Sequence, residues 1–114
     1  MSRPYGPRRG DLVWLRFDPQ AGHEQSGRRP ALVISHDAYN ARVGLALMCP
    51  VTSAVKGYPF EVTLPAGSPV HGVVLADQVR SLDWRARNAQ FIARVAPALL
   101  GEVLGKLRAL IADR

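Results

Sequence analysis

The chain has 114 residues, which is enough for one domain built around one hydrophobic core. Apolar residues make up 47% of it, too many for a disordered chain, and no apolar run reaches the roughly 20 residues of a membrane helix. The net charge of +6, carried mainly by 13 arginines, favours a polyanionic partner such as nucleic acid, and a merely solubilising surface is the alternative.

Both the N-terminus and the single cysteine point to a cytoplasmic protein. Residues 1–9 combine basic side chains with prolines and lack the apolar stretch of a secretory signal, so we predict a flexible basic arm followed by one domain over residues 10–114. Cys49 has no partner for an internal disulfide and lies in an apolar run. It is therefore predicted to be a small buried side chain in a reducing compartment.

The rest of the chain predicts several short strands and one helix. Alternating or continuous apolar patterns, separated by turn residues, indicate strands over residues 11–17, 30–35, 44–52, 60–64, 73–82 and 90–95. From Pro97 onward, leucine, valine and isoleucine recur at helical spacing, and proline suits the first turn of a helix. The expected fold is mainly β (α+β), a small barrel or sandwich closed by a C-terminal amphipathic helix.

The connection between the first two strands is longer than a hairpin requires. Residues 18–29 are polar and glycine-rich and end in two arginines, and a long loop in a compact domain is usually functional or disordered. Because Arg29 precedes Pro30, its backbone is biased towards an extended conformation at the sheet rim, which suits a phosphate clamp. Thr52 and Ser53 end the third strand and offer hydroxyl donors, and Glu24 offers a carboxylate.

The order of several short motifs resembles that of MazF-type toxins along almost the whole chain. The matching segments are residues 10–14 (GDLVW), 17–19 (FDP), 24–25 (EQ) with Gly27, 29–31 (RPA), 34–35 (IS), 50–53 (PVTS), 56–62 (KGYPFEV), 75–82 (LADQVRSL) and 84–87 (WRAR). The resemblance implies an SH3-like barrel with a C-terminal helix, working as a homodimer. It also implies a sequence-specific endoribonuclease toxin of a type II toxin–antitoxin system, whose partner is an antitoxin of the MazE kind with an acidic tail.

The same resemblance implies metal-independent cleavage of single-stranded RNA by the substrate's own 2′-OH, giving 2′,3′-cyclic phosphate and 5′-OH ends. It makes Arg29 and Thr52 the catalytic pair and Glu24 an auxiliary candidate. A guanidinium is suited to stabilising charge, whereas a carboxylate can accept the 2′ proton, and the sequence does not decide which group moves each proton. The residues expected to contact RNA are Phe17, Asp18, Gln25, Arg28, Ser53, Lys56, Gln78, Arg85 and Arg87.

The sequence also has to be compared with other sites and functions. A pair of imidazoles could cleave RNA, but His36 and His71 lie outside the motifs and are expected to be surface residues, with His23 the one histidine near RNA. No metal or nucleotide motif is present, so no metal and no cofactor are expected. The remaining alternatives are a non-enzymatic gyrase inhibitor like the CcdB toxins, whose C-terminal motif this chain lacks, and a plain RNA-binding SH3-like module.

Overall fold

The computed structural model describes residues 4–16 and 27–112, which form one antiparallel sheet and two helices. The elements in chain order are β1 (Asp11–Arg16), β2 (Arg28–Val33), α1 (Asp37–Val43), β3 (Ala46–Thr52), β4 (Glu61–Thr63), β5 (Val73–Leu75), β6 (Arg80–Leu82), β7 (Gln90–Arg94) and α2 (Pro97–Ile111). The hydrogen-bonded strand order is β4-β5-β3-β2-β1-β7, and β6 also pairs with β3.

The predicted class, mainly β with a C-terminal helix, is confirmed. Closure into a barrel is not part of the observed fold, because β4 and β7 end the sheet and no pairing joins them within the described ranges. The central strands are buried on both faces. Alternate residues such as Leu12 and Leu32 face the core covered by α2, whereas Val13 and Met48 face a second core that contains Trp84.

The helix α2 covers the larger of the two cores. Val103 is fully buried there, and it is joined by partly buried leucines of the same helix face, namely Leu99, Leu100, Leu104 and Leu107. This is the face that the periodic leucines predict. No helix within residues 4–16 and 27–112 has the length and apolar character to cross a membrane.

The sequence pattern does not predict the helix α1. It has no apolar stripe, and Asn40 is its one buried residue. The Asn40 side-chain amide donates to the backbone carbonyl oxygens of Pro7 (2.9 Å) and Ser35 (3.1 Å), and the Asn40 backbone carbonyl accepts a hydrogen bond from the Trp84 indole (3.1 Å). A buried polar network therefore holds this helix where hydrophobic burial does not.

The predicted single strand over residues 73–82 is wrong, because it is divided into β5 and β6. Both pair with the same edge of β3, but Met48 pairs with Arg80, whereas the β5 register (Val51 with Val74) would pair it with Asp77. Three additional residues are therefore accommodated between the two strands. They form a turn in which the Gln78 N–H donates to the Leu75 carbonyl (3.1 Å).

Residues 4–10, in the N-terminal segment, contact the first strand through a buried carboxylate. Asp11 is almost fully buried and accepts hydrogen bonds from the Tyr5 hydroxyl, the Arg8 backbone N–H (3.0 Å) and Arg94 (2.9 Å). Burial, reinforced by the neighbouring Asp11, raises the pKa of Tyr5. Cys49 is buried as predicted, and burial raises the pKa of its thiol to about 12, which leaves it unreactive at neutral pH.

Candidate active site

Arg29 of β2 and Thr52 of β3 lie at the same end of two antiparallel strands. The register of these strands pairs Leu32 with Cys49 and ends with Ala31 and Pro50, so Arg29 and Thr52 each lie two residues beyond the last pair. Both residues line the same two clefts.

The first of these clefts, here called the Trp14 cleft, has a volume of about 550 Å³. Its lining combines aromatic, cationic and hydroxyl groups and consists of Trp14, Arg28, Arg29, Pro30, Val51, Thr52, Ser53, Pro69, Val70 and His71. The guanidinium of Arg28 lies 4.8 Å from the centre of the Trp14 ring, a cation–π distance. The cleft therefore places positively charged side chains beside an aromatic ring.

The second, here called the Tyr58 cleft, has a volume of about 330 Å³ on the other side of Arg29 and Thr52. Its lining is Arg29, Pro50, Val51, Thr52, Ala54, Lys56, Tyr58, Glu61, Leu75 and Gln78. The hydrogen bond that Tyr58 donates to Asp77 (2.9 Å) raises the pKa of Tyr58, so this phenol stays neutral and oriented. Both clefts fall in the range of about 300–1,000 Å³ typical of ligand sites.

The backbone at Lys56 is held by hydrogen bonds to the Glu61 carboxylate. Glu61 accepts hydrogen bonds from the backbone N–H groups of Lys56 (2.8 Å) and Gly57 (2.9 Å), one on each carboxylate oxygen. These two hydrogen bonds hold the turn between β3 and β4. Around Arg29 and Thr52 the two clefts present the cations Arg28, Arg29 and Lys56, an arrangement that favours an anionic ligand.

Thr52 is oriented by the chain immediately after it. Its hydroxyl oxygen accepts a hydrogen bond from the Ala54 backbone N–H at 3.0 Å. A hydroxyl that accepts one bond still carries a hydrogen to donate, so this bond fixes the oxygen and leaves the O–H available to a ligand.

Gly72 holds β5 against the strand that carries Thr52. Its φ is +123°, and a Cβ at this position would lie 2.1 Å from the Thr52 carbonyl oxygen. Only glycine fits this close approach. Because the Gly72 carbonyl also accepts from the Leu64 N–H (3.0 Å), His71 is presented at the rim of the Trp14 cleft from a fixed loop end.

The structure distributes the residues that the sequence predicts as RNA contacts over three neighbouring places. Arg28 and Ser53 line the Trp14 cleft, and Lys56 and Gln78 line the Tyr58 cleft. Arg87 lies with Arg28 in a third, smaller pocket. Arg85 lines none of these three and instead lies 4.6 Å above the Trp84 ring. Glu24, Phe17, Asp18, Gln25 and His23 lie outside the described residues.

Three residues of the clefts were not assigned to the site from sequence. Trp14 is partly buried against the larger core and also lines a cleft. His71 was expected on the surface and is exposed, yet it lies at the same cleft, where no sequence pattern could place a loop residue. Tyr58 belongs to the family motif over residues 56–62, of which only Lys56 was assigned to the site. Among the residues that the structure describes, no group of three His, Cys, Asp or Glu side chains is placed to hold a metal ion.

Comparison with known proteins gives a family match over most of the chain. The family described as "PemK-like, MazF-like toxin of type II toxin-antitoxin system" matches residues 8–111. The "Endoribonuclease toxin MazF" of Escherichia coli K12 is 50% identical over 111 residues, covering 97% of this chain and 99% of the relative.

Solved structures from Deinococcus radiodurans agree in fold. A MazF crystal structure (Form-I) is 61% identical with a TM-score of 0.86 and covers 96% of this chain and 100% of its own. A MazE-MazF crystal structure (Form-II) is 54% identical with a TM-score of 0.87, and it covers 97% of this chain and 100% of the matched chain.

Proposed function

The chain belongs to the PemK-like, MazF-like toxins of type II toxin–antitoxin systems, and on this premise we propose that it is a metal-independent endoribonuclease that cleaves single-stranded RNA. We further propose that Arg29 and Thr52 carry the reaction. The observation that supports this assignment is the position of both residues between two clefts of nucleotide-holding size. An RNA strand that occupies both clefts would place one of its phosphates beside Arg29 and Thr52.

The proposed reaction uses the ribose 2′-OH of the substrate as the nucleophile. The 2′-oxygen loses its proton and bonds to phosphorus, the bond from phosphorus to the 5′-oxygen breaks, and that 5′-oxygen gains a proton. The products are a 2′,3′-cyclic phosphate and a 5′-OH. The protein must hold the strand in line, stabilise the negative charge that develops on the phosphoryl oxygens, and allow the two proton transfers.

Arg29 and Thr52 fit the charge-stabilising part of this reaction. A guanidinium remains protonated in proteins and can donate two parallel hydrogen bonds to phosphoryl oxygens, so Arg29 acts as an electrostatic clamp. Thr52 adds a neutral donor, since its oxygen is fixed by the Ala54 N–H. From the sequence alone, Glu24 is proposed as an auxiliary acceptor for the 2′ proton, and Glu24→Gln with unchanged cleavage would remove it from the mechanism.

The sharpest test is cleavage of a single-stranded RNA by the purified protein in excess EDTA. We expect full activity with the chelator present, products ending in 2′,3′-cyclic phosphate and 5′-OH, and no cleavage of a strand with 2′-O-methyl groups throughout. The end groups are read by mass spectrometry and by labelling with a 5′ kinase. Intact RNA, or products with 3′-OH and 5′-phosphate ends, would contradict the proposal.

The proposed assembly is a homodimer in the cytoplasm, held inactive by an antitoxin of the MazE kind. Large apolar side chains stay exposed on the isolated protomer, among them Phe91, Leu110 and Ile111, as expected of a surface that a second copy covers. The net charge of +6 suits an acidic antitoxin tail. Sedimentation equilibrium should give twice the 12.4 kDa chain mass, and titration with a cognate antitoxin should abolish cleavage. A monomer, or activity that survives saturating antitoxin, would count against the assembly.

A further inference from the structure

A small pocket beside the Trp14 cleft is lined by three guanidiniums and two amides. Its residues are Arg16, Arg28, Arg87, Asn88 and Gln90, and we call it the arginine pocket. Its volume of about 160 Å³ is below the roughly 300 Å³ at which sites for whole small molecules begin, so it suits one chemical group of a larger ligand. Its described lining contains no carboxylate.

The strand register brings two of these arginines together at a cost to the fold. Arg16 of β1 pairs directly with Arg28 of β2. Like charges directly opposite each other on adjacent strands destabilise a sheet. A sequence selected for stability alone would avoid this pair, whereas an anion bound between the two side chains would make it favourable.

Several contacts hold the pocket in shape before any ligand binds. Arg28 donates to the Gln90 side-chain oxygen at 2.8 Å while its guanidinium stacks on Trp14. Arg87 donates to the Arg16 carbonyl at 3.1 Å, and the Arg16 N–H donates to the Arg87 carbonyl at 2.9 Å. Asn88 adopts a left-handed conformation (φ 53°) that turns the chain into β7. Donors ordered in advance lose little entropy on binding.

We propose that the arginine pocket binds a backbone phosphate of the RNA, displaced along the strand from the phosphate that is cleaved. The inference rests on the proposed function and adds a subsite to it. Arg28 lines both the arginine pocket and the Trp14 cleft, so one strand can pass continuously from Arg29 and Thr52 to the pocket. Planar guanidiniums bind phosphate through paired hydrogen bonds. Arg16 is the new member of the site, because no sequence motif includes it.

The test measures binding of a single-stranded oligonucleotide that carries 2′-O-methyl groups and therefore cannot be cleaved. The variant is Arg16→Gln, and the matched control is Arg42→Gln, an exposed arginine on α1 that lines none of the three sites. We expect Arg16→Gln to weaken binding about tenfold and to reduce the slope of log affinity against log salt by about 0.7, the value for one lost phosphate contact. The control should change neither quantity, and Arg16→Lys should fall between.

Single neutral methylphosphonate linkages then locate the contact. In the wild type, one linkage away from the cleavage position should weaken binding, and that same linkage should weaken binding less in Arg16→Gln, where only Arg28 and Arg87 remain to contact the phosphate. If the wild type cleaves RNA but the salt slope of Arg16→Gln equals that of the control, the proposed phosphate subsite is wrong and the proposed function stands. Loss of binding to a polyglutamate peptide but not to the oligonucleotide would also overturn it, in favour of a carboxylate ligand. A wild-type protein that neither binds nor cleaves RNA would reject both proposals.

Discussion

Replacing Arg29 with alanine is expected to lower the rate of RNA cleavage by at least about 10²–10³-fold, the usual cost of removing one preorganised donor to a transition-state oxyanion. Arg29 lines both clefts together with Thr52, and it is the one cation common to the two linings, so its guanidinium is the cation best placed to meet the developing charge. Single-turnover cleavage under saturating protein measures the chemical step without the contribution of binding.

Two further variants separate the effect of the guanidinium's paired donors from the effect of its positive charge. Arg29→Lys keeps the charge and loses the paired donors, so it should recover only part of the activity. Arg42→Ala removes an exposed arginine from α1 and should cleave like the wild type. Because Arg29 is exposed, the free energy of unfolding should change little, and circular dichroism checks this. Wild-type rates in Arg29→Ala would remove this residue from the mechanism.

Substitution of Gly72 by alanine is the second change with a large expected effect, and it acts through the backbone. The new Cβ would lie 2.1 Å from the Thr52 carbonyl oxygen, so the edge between β3 and β5 must open. We expect the free energy of unfolding to fall by about 3 kcal/mol or more, and cleavage to fall at least tenfold in the molecules that remain folded. Urea unfolding measures the first quantity, and the cleavage assay well below the unfolding midpoint measures the second.

Gly67 provides the matched control for that experiment. Its φ of +92° is also in the left-handed region, but a Cβ there would meet no heavy atom within 4 Å. Gly67→Ala therefore carries the backbone strain without the contact with Thr52, and should cost about 1 kcal/mol with little change in cleavage. Equal destabilisation in the two variants would show that strain, and not the approach to Thr52, decides the effect.

The sequence predicted those elements whose local apolar pattern is also the face that they bury. Alternation predicted β1, the continuous apolar run predicted β2, and the leucine spacing predicted α2, because each element buries the face that its pattern describes. The α1 helix lacks such a pattern, and Asn40 holds it through partners far away in the chain. The division between β5 and β6 depends on register against β3, which no local pattern records.

The same distinction between local pattern and tertiary contact applies to the residues of the candidate site. The family motifs singled out Arg29 and Thr52, and in the structure both residues line the same two clefts. Trp14 and His71 come to the Trp14 cleft through tertiary packing, which their own sequence neighbours do not specify. Arg16 ends an ordinary strand, and its significance arises only from the cross-strand partner Arg28 and the turn that carries Arg87. Pairing between distant segments creates this part of the site.

The strand β3 pairs with β2 along one edge and with β5 and β6 along the other. On the far side of β2, the strand β1 pairs with β7, which comes from near the end of the chain. Pairings that join such remote segments form late in folding. A growing chain that stops before residue 73 already contains both the arginine and the threonine, but lacks the strand that confines one side of the threonine's backbone. We therefore expect nuclease activity only in chains long enough to form β5 and β7, so that a chain still being synthesised is inactive beside its ribosome.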